Sequence, residues 1–520
     1  MTRKVGRPLL AVAAFTTALT FMLATAGPAG AVGTSALSHG DVTMASTHVD
    51  GTGGPSGNGS TSQVSIASDG SAIAFTSTVP AQDLVTDPIQ TTHVNDTNGT
   101  DDVFVFIKSP GPLPNIISLV SWNHDHTGTG DHASYSPIFA PSPVPTIGTV
   151  LPLGLVFTTD ATNLSATAAP ANQHHIFAWT LISDVVNLVI IDNLAGSSST
   201  VSTGIARDPS ISMFPTPTVV FESSAPDLIS PPMASGSGDQ VWAHDLITNK
   251  NVLVSHTVEG PTHGAIGGAD AAMIAGNAPI VVFESNGNDF TGSLPNNGFD
   301  PLGGEIWQVV LKPAGAGTLS TTLVSKDAGG GVHGTSGNHD PVVNLLGNAI
   351  AWMSNDPNSS STPFDPAQLG QREHVFYQFA FGSTQMIDVH AGFGCDQNSN
   401  NPGLSGDGTL VVFESGCTNL AADHYPNNDP VPHNTNVFER RMFPSPVVPD
   451  ILPDAAPVLV SGQGGSSVYP SANGGVLCTS NDIECLGDPS VNVNFDGTAI
   501  AFAGSFDIAP LPGAFNGGIF

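Results

Sequence analysis

The chain has 520 residues, of which 43 are acidic and 11 are Lys or Arg, giving a formal net charge of −32 at neutral pH. Such a surface repels nucleic acid and anionic lipid headgroups, which excludes both as partners. Charged residues make up only 10% of the chain and apolar ones 40%, with 58 Gly and 42 Pro; that balance suits short strands joined by turns and is too hydrophobic for a disordered chain.

The first element in chain order is a secretory leader: basic Arg3, Lys4 and Arg7, an apolar run from Leu9 to Ala24, then the small residues Ala29-Gly30-Ala31. The apolar run is shorter than the about 20 residues a spanning helix needs. Residues 1–31 are therefore read as a signal peptide cleaved after Ala31, leaving 32–520 as one secreted domain with no membrane insertion.

A strand ending in a buried aromatic then recurs seven times: AIAFTS around Phe75, LVFTT around Phe157, VVFES around Phe221 and Phe283, AIAWMS around Trp352, VVFES around Phe413 and AIAFAG around Phe502. The aromatics are spaced by 82, 64, 62, 69, 61 and 89 residues, room for four strands and generous loops. Before each comes a short strand and a tight turn, as in SIASDG at Ser65–Gly70, LSGDG at Leu404–Gly408 and NFDG at Asn494–Gly497, where Gly accepts the positive φ of a hairpin turn. After each comes a third strand, from DVFVF at Asp102 to NVFER at Asn436, and a fourth such as SLVS ending at Ser121 or VLVS ending at Ser255. In chain order the four are strands a, b, c and d.

The last unit has strands a and b, then GGIF at Gly517–Phe520 in the place of c, and no d. DVTMASTHVDG from Asp41 aligns with NVLVSHTVEG from Asn251, so it reads as a strand d without a, b or c before it. A ring in which residues 41–46 complete the C-terminal sheet beside 517–520 accounts for both leftovers. The fold class expected is all-β, a seven-bladed β-propeller of four-stranded antiparallel blades, and a monomer.

A short strand, an Asp-Gly turn, an IAF or VVF strand, a loop, DVFV and then LVS together resemble the TolB-type, WD-like propeller repeats of secreted bacterial proteins. The first unit, SIASDGSAIAFTS followed by DTNGTDDVFVF and SLVS, matches best, and the resemblance covers the mature chain. It implies the fold and says little of function, because the shared residues mark turns, core aromatics and strand ends. TolB carries an α/β domain ahead of its propeller and prolyl-peptidase relatives a hydrolase domain; neither is expected here, so neither role is transferred.

In blades of this order the d-to-a and b-to-c loops emerge on one face. The first b-to-c loop offers Asp96, Asn98, Asp101 and Asp102 around a Gly, oxygen ligands suited to calcium, although Asp, Asn and Gly are also ordinary turn formers. In the next d-to-a loop His124, His126 and His132 could hold a transition metal, or be solvated loop residues. His339 is placed in a d-to-a loop as well. No cofactor is required by any motif, and calcium is the optional one. Cys395, Cys417, Cys478 and Cys485 are expected to form two disulfides in an exported chain; the local pairing, Cys395 with Cys417 and Cys478 with Cys485, is favoured among three connectivities that the sequence leaves open.

No nucleophile elbow, phosphate loop or H-E-x-x-H helix is present. Glu222, Glu284 and Glu414 recur just after the strand-b aromatic, which points to blade packing. The function expected is a non-catalytic extracellular binding propeller for a protein, glycan or small molecule; the alternative is a hydrolase or lyase of extracellular polysaccharide with acidic residues at the loop-lined mouth.

Overall fold

The computed structural model describes residues 61–140, 154–290, 304–326, 337–355, 372–417, 420, 436–442, 457–460, 491–494, 499–504 and 518–519, apart from short stretches at 89, 91–93, 97, 109–113, 167–172, 183–184, 196, 198–199, 214–215, 288, 381 and 391–392. Six four-stranded antiparallel sheets follow one another along the chain. They are Thr61–Ile66, Ala72–Ser77, Asp102–Ile107 and Ile116–Leu119 (β1–β4); Ser134–Phe139, Leu155–Thr159, His175–Ile182 and Val185–Ile190 (β5–β8); Ala206–Ser212, Thr218–Ser223, Gln240–Asp245 and Lys250–Leu253 (β9–β12); Asp270–Ile274, Ile280–Ser285, Glu305–Leu311 and Thr318–Leu323 (β13–β16); Asn338–Val343, Ala349–Ser354, His374–Phe379 and Gln385–Met386 (β17–β20); and, after a small hairpin of Val389–His390 and Phe393–Gly394 (β21, β22), Ser399–Leu404, Leu410–Ser415, Asn436–Arg441 and Val458–Leu459 (β23–β26). Val491–Val493, Ile500–Gly504 and Gly518–Ile519 (β27–β29) form a three-stranded sheet.

The architecture is an all-β propeller. Each sheet runs a, b, c, d, and the first strands, β1, β5, β9, β13, β17, β23 and β27, pack side by side in that order, with β27 beside β1. The sequence predicts seven four-stranded blades; the structure has six, because the seventh unit contributes only β27–β29 among the described residues. Ile519 pairs with Ala503 there, so the GGIF segment occupies the place predicted for strand c. The outer strand assigned to 41–46 and the signal peptide at 1–31 lie outside the described residues. Among the described residues no helix is long and apolar enough to cross a membrane.

Neighbouring sheets cover both faces of each middle strand, so Val219, Val220 and Phe221 are all fully buried. That is why the b strands read as unbroken apolar runs rather than alternating ones. The repeated aromatics are cross-strand partners: Phe75 faces Phe104, Phe157 faces Phe177, Phe221 faces Trp242, Phe283 faces Trp307, Trp352 faces Phe376 and Phe413 faces Phe438. Four of the pairs stack, with centroids 5.7–6.3 Å apart. At the a-to-b turns Gly70 and Gly408 adopt φ of 70° and 76°, the left-handed geometry the Asp-Gly signal demands.

Two polar devices recur with this core. The first residue of strand c bonds a side chain just beyond strand d: Asp102 with Ser121 (2.8 Å), His175 with Asp192 (2.7 Å), Gln240 with Ser255 (2.8 Å), Glu305 with Ser325, and His374 with Asp388 (2.8 Å). In the first four sheets the same Ser or Asp also accepts the next backbone amide of strand c, from Val103, Ile176, Val241 and Ile306. The second device is a bulge in every inner strand of the six four-stranded sheets, at Gln63, Ser136, Asp208, Ala271, Asp340 and Asn401, each with φ between 45° and 51°. Pro follows four of them, and a bulge position tolerates a residue with no N–H to donate.

Candidate functional site

The bulges set six residue pairs at equivalent positions around the axis: Ser62-Gln63, Tyr135-Ser136, Arg207-Asp208, Asp270-Ala271, His339-Asp340 and Asn400-Asn401. The cross-strand partners on strand b are Thr76, Thr158, Glu222, Glu284, Met353 and Glu414. Some of these tie one sheet to the next through the bulge amide. Ser136 N–H donates to Gln63 Oε1 at 2.7 Å, Asp340 N–H to the Glu284 carboxylate, and Asn401 N–H to Met353 Sδ at 3.2 Å. Glu284 thus has the blade-packing role expected of it.

Charge collects on one side of this belt, in the third to fifth sheets. The Arg207 guanidinium lies 3.0 Å from Asp239, 3.3 Å from Glu222 and 3.6 Å from Asp208. His339 Nε2 lies 3.3 Å from Glu373 Oε1. Among the described residues neither the Asp270 nor the Asp340 carboxylate has a hydrogen-bond or close ion-pair partner; Asp270 is exposed and Asp340 half-buried. Burial, reinforced by the charges of Asp208 and Asp270, pushes the Glu222 carboxyl well above its usual range. Burial with the charges of Asp270 and Asp340 does the same to Glu284. Asp270 is raised by burial, and burial lifts Asp340 to about 6. Burial draws the His339 imidazole down, and it draws Arg207 down too, but the surrounding carboxylates outweigh that and raise Arg207 overall.

The rest of the belt is neutral and hydroxyl- or amide-bearing, apart from Glu414. Burial pushes that carboxyl to about 8, and its Oε1 has no hydrogen-bond partner. Beside the charged side, the Tyr135 hydroxyl and Asp160 Oδ1 both lie on His174 Nδ1, and the hydroxyl is 3.4 Å from Asp160. The Asp160 hydrogen bond raises the His174 pKa. The Tyr135 hydroxyl and the Asp160 carboxylate thus converge on one ring nitrogen and compete for it.

The candidate metal ligands singled out from sequence are placed elsewhere. Asp96 Oδ1 accepts the amides of Asn98 and Gly99 in a local turn, and Asn98 spans to the carbonyls of Gly130 (2.8 Å) and His132 (3.3 Å). Asp101 is raised by burial, and Asp102 is fixed in the strand c clasp, where burial pushes it to about 8. The His126 ring packs on Trp122 with centroids 5.8 Å apart, His132 pairs with Asp131 at 3.4 Å, and the His124 amide donates to the Asn163 carbonyl. Among the described residues no three His, Cys, Asp or Glu side chains come together as a metal set. Cys395 and Cys417 form a disulfide with Cα atoms 5.5 Å apart; Cys478 and Cys485 lie outside the described residues. His339 lies within strand β17 rather than in a loop, because the inner strand starts one residue earlier, at Asn338.

Sequence reading missed the belt. Its signal is the recurring Ser-Pro, Asp-Pro or Asn-Pro early in strand a, at Ser136-Pro137, Asp208-Pro209, Asp340-Pro341 and Asn401-Pro402.

No protein-family model matches the chain, and no curated protein does. Similar solved structures include TolB from Acinetobacter baumannii, at 11% identity over 75% of this chain and a TM-score of 0.34. The chain spans 63% of that TolB. They also include an oligogalacturonate lyase from Vibrio parahaemolyticus, 10% identical over 88% of this chain and 87% of the lyase, with a TM-score of 0.44. A puromycin-hydrolyzing peptidase from Mycobacterium tuberculosis is 11% identical over 90% of this chain and 52% of its own, with a TM-score of 0.38.

Proposed function

We propose that the chain is a secreted, monomeric, non-catalytic binding propeller of seven blades whose ligand, a glycan, seats on the inner-strand belt. One observation carries this reading: a single backbone device repeats from sheet to sheet, yet ionisable groups gather at it in three adjacent sheets, with Glu414 the one acidic residue at the other described positions. Glu222 is committed to Arg207 and Glu284 to the Asp340 amide, which suits holding a ligand better than reacting with one. The seventh blade in this reading is β27–β29 completed by residues 41–46, and Cys478 pairs with Cys485. The Cys395–Cys417 disulfide supports export behind the leader at 1–31. No cofactor is required.

A screen of the secreted protein against cell-wall and plant glycans, with reducing-end release and unsaturated products measured alongside binding, tests it. Retention without product is expected. The titratable cluster of Tyr135, His174 and Asp160 favours a second reading, a polysaccharide hydrolase or lyase; product formation that disappears in His174→Ala would replace the first reading with that one.

A further inference from the structure

We infer that the loop joining β12 to β13 is a docking surface for a basic, aliphatic segment of a partner protein, separate from ligand binding at the belt. Val258 and Ile266 stand out from this loop, 57% and 60% exposed, and Pro261 between them in sequence is exposed too. The two aliphatic residues meet the same piece of the fourth sheet. The Val258 N–H donates to the Asp289 carbonyl at 3.1 Å, and a Cβ at Gly287 would lie 2.9 Å from the Ile266 carbonyl and 3.1 Å from Asp289 Oδ1.

The loop is tied down on both sides. The Gly264 N–H donates to the Ser235 carbonyl and the Ala234 N–H to the Thr262 carbonyl, both at 2.7 Å, and the Gly267 N–H to the Ser237 hydroxyl at 2.9 Å. Toward the fourth sheet His256 Nε2 meets the Thr318 hydroxyl. Aliphatic side chains presented on a loop fixed in this way lose little further freedom on binding. Charge selects the partner. Between Lys250 and Lys312 the sequence has no Lys or Arg and six Asp or Glu. Glu259 is exposed next to Val258, and its charge adds to the burial that raises the Asp289 carboxyl. A net charge of −32 opposes a second copy of this chain at the surface, whereas Lys or Arg beside aliphatic residues complements both of its features.

Fluorescence anisotropy on the whole chain tests this with three labelled peptides of one length, mixed lysine and leucine, lysine and serine, and glutamate and leucine. The lysine–leucine peptide should bind at least about tenfold more tightly than either counterpart, and added salt should weaken it. Val258→Ser combined with Ile266→Ser should cut its affinity at least about tenfold, and Glu259→Lys should weaken it as well. All three side chains are exposed, so the fold is kept, which circular dichroism checks. Ile247→Ser combined with Leu346→Ser, at residues 69% and 45% exposed on other turns, should leave binding unchanged. Equal or tighter binding of either counterpart, binding indifferent to the loop variants, or no binding by any peptide overturns the inference. A dimer in sedimentation that Val258→Ser with Ile266→Ser dissolves overturns it too, and gives the surface to a second copy.

Discussion

The charged and neutral sides of the belt use one backbone and opposite chemistry. Asp208 and Asp340 take the same left-handed bulge as Gln63, Ser136 and Asn401, with φ between 45° and 51° throughout. A left-handed L-residue costs about 1–2 kcal/mol, and the cost recurs whether or not a charge is present, so the bulge belongs to the scaffold. Only the side chains differ, with Glu222, Asp270 and Glu284 on one side and Thr76, Thr158 and Asn400 at matching positions on the other, where Glu414 alone repeats the strand b acid. A repeat that holds its geometry and varies its chemistry locates function where the variation gathers.

The same logic applies to the clasp between strands c and d, and there the largest effect is expected. His175 and Asp192 are fully buried and bonded at 2.7 Å, while Gln240 and Ser255 fill the equivalent place with neutral groups. His175→Ala leaves the buried Asp192 with the Ile176 amide alone and should lower unfolding free energy by about 3–5 kcal/mol. Gln240→Ala removes a neutral partner from Ser255, which keeps the Val241 amide, and should cost about 1–3 kcal/mol. Urea unfolding of both variants checks this, and equal losses would show that geometry alone, not charge, sets the strength of the clasp.

The clasp, the aromatic pairs and the turns differ in how far the sequence shows them. Phe221 and Trp242 repeat at fixed places because a fully covered middle strand admits little else, so strand order and cross-strand aromatics are legible. The belt is not. Arg207 and Asp270 meet only because adjacent sheets set their inner strands side by side, and which residue of each strand takes the bulge depends on register with strand b. His124, His126 and His132 drew notice because histidine in a Gly-rich loop is conspicuous in a string, yet their partners in space are a tryptophan ring, an adjacent Asp and a loop carbonyl.

A pH titration of stability sharpens the contrast between the two sides, with an intermediate effect. Glu222, Glu284, Asp270 and Asp340 have folded pKa values raised by burial, Asp340 to about 6. A raised carboxyl binds its proton more tightly folded than unfolded, so its contribution is complete below the unfolded value of about 4 and is lost as pH rises through the folded value. Thermal midpoints should therefore fall as pH rises from mildly acidic to mildly alkaline, with Glu414, raised to about 8, prolonging the fall. Asp340→Asn should flatten the profile around pH 6, and Glu414→Gln its alkaline end. A wild-type midpoint that climbs over this range would mean that the carboxylates are held by partners rather than by burial.

The smallest expected effect isolates the scaffold from the chemistry. Ala271 is the one bulge residue with neither a polar side chain nor a glycine's freedom, at φ 47° on the partly exposed inner strand. Glycine relieves the clash of Cβ with the following carbonyl but adds freedom to the unfolded chain, so Ala271→Gly should gain only about 0.5–1 kcal/mol. Asn already tolerates this backbone, so Asn401→Gly should gain nothing and lose its side-chain contacts. Chemical denaturation of the two variants separates strain from side-chain interaction. A loss of stability in Ala271→Gly would show that the Ala271 methyl packs between the inner strands, and that the bulge is held by side-chain contact even where it carries no chemistry.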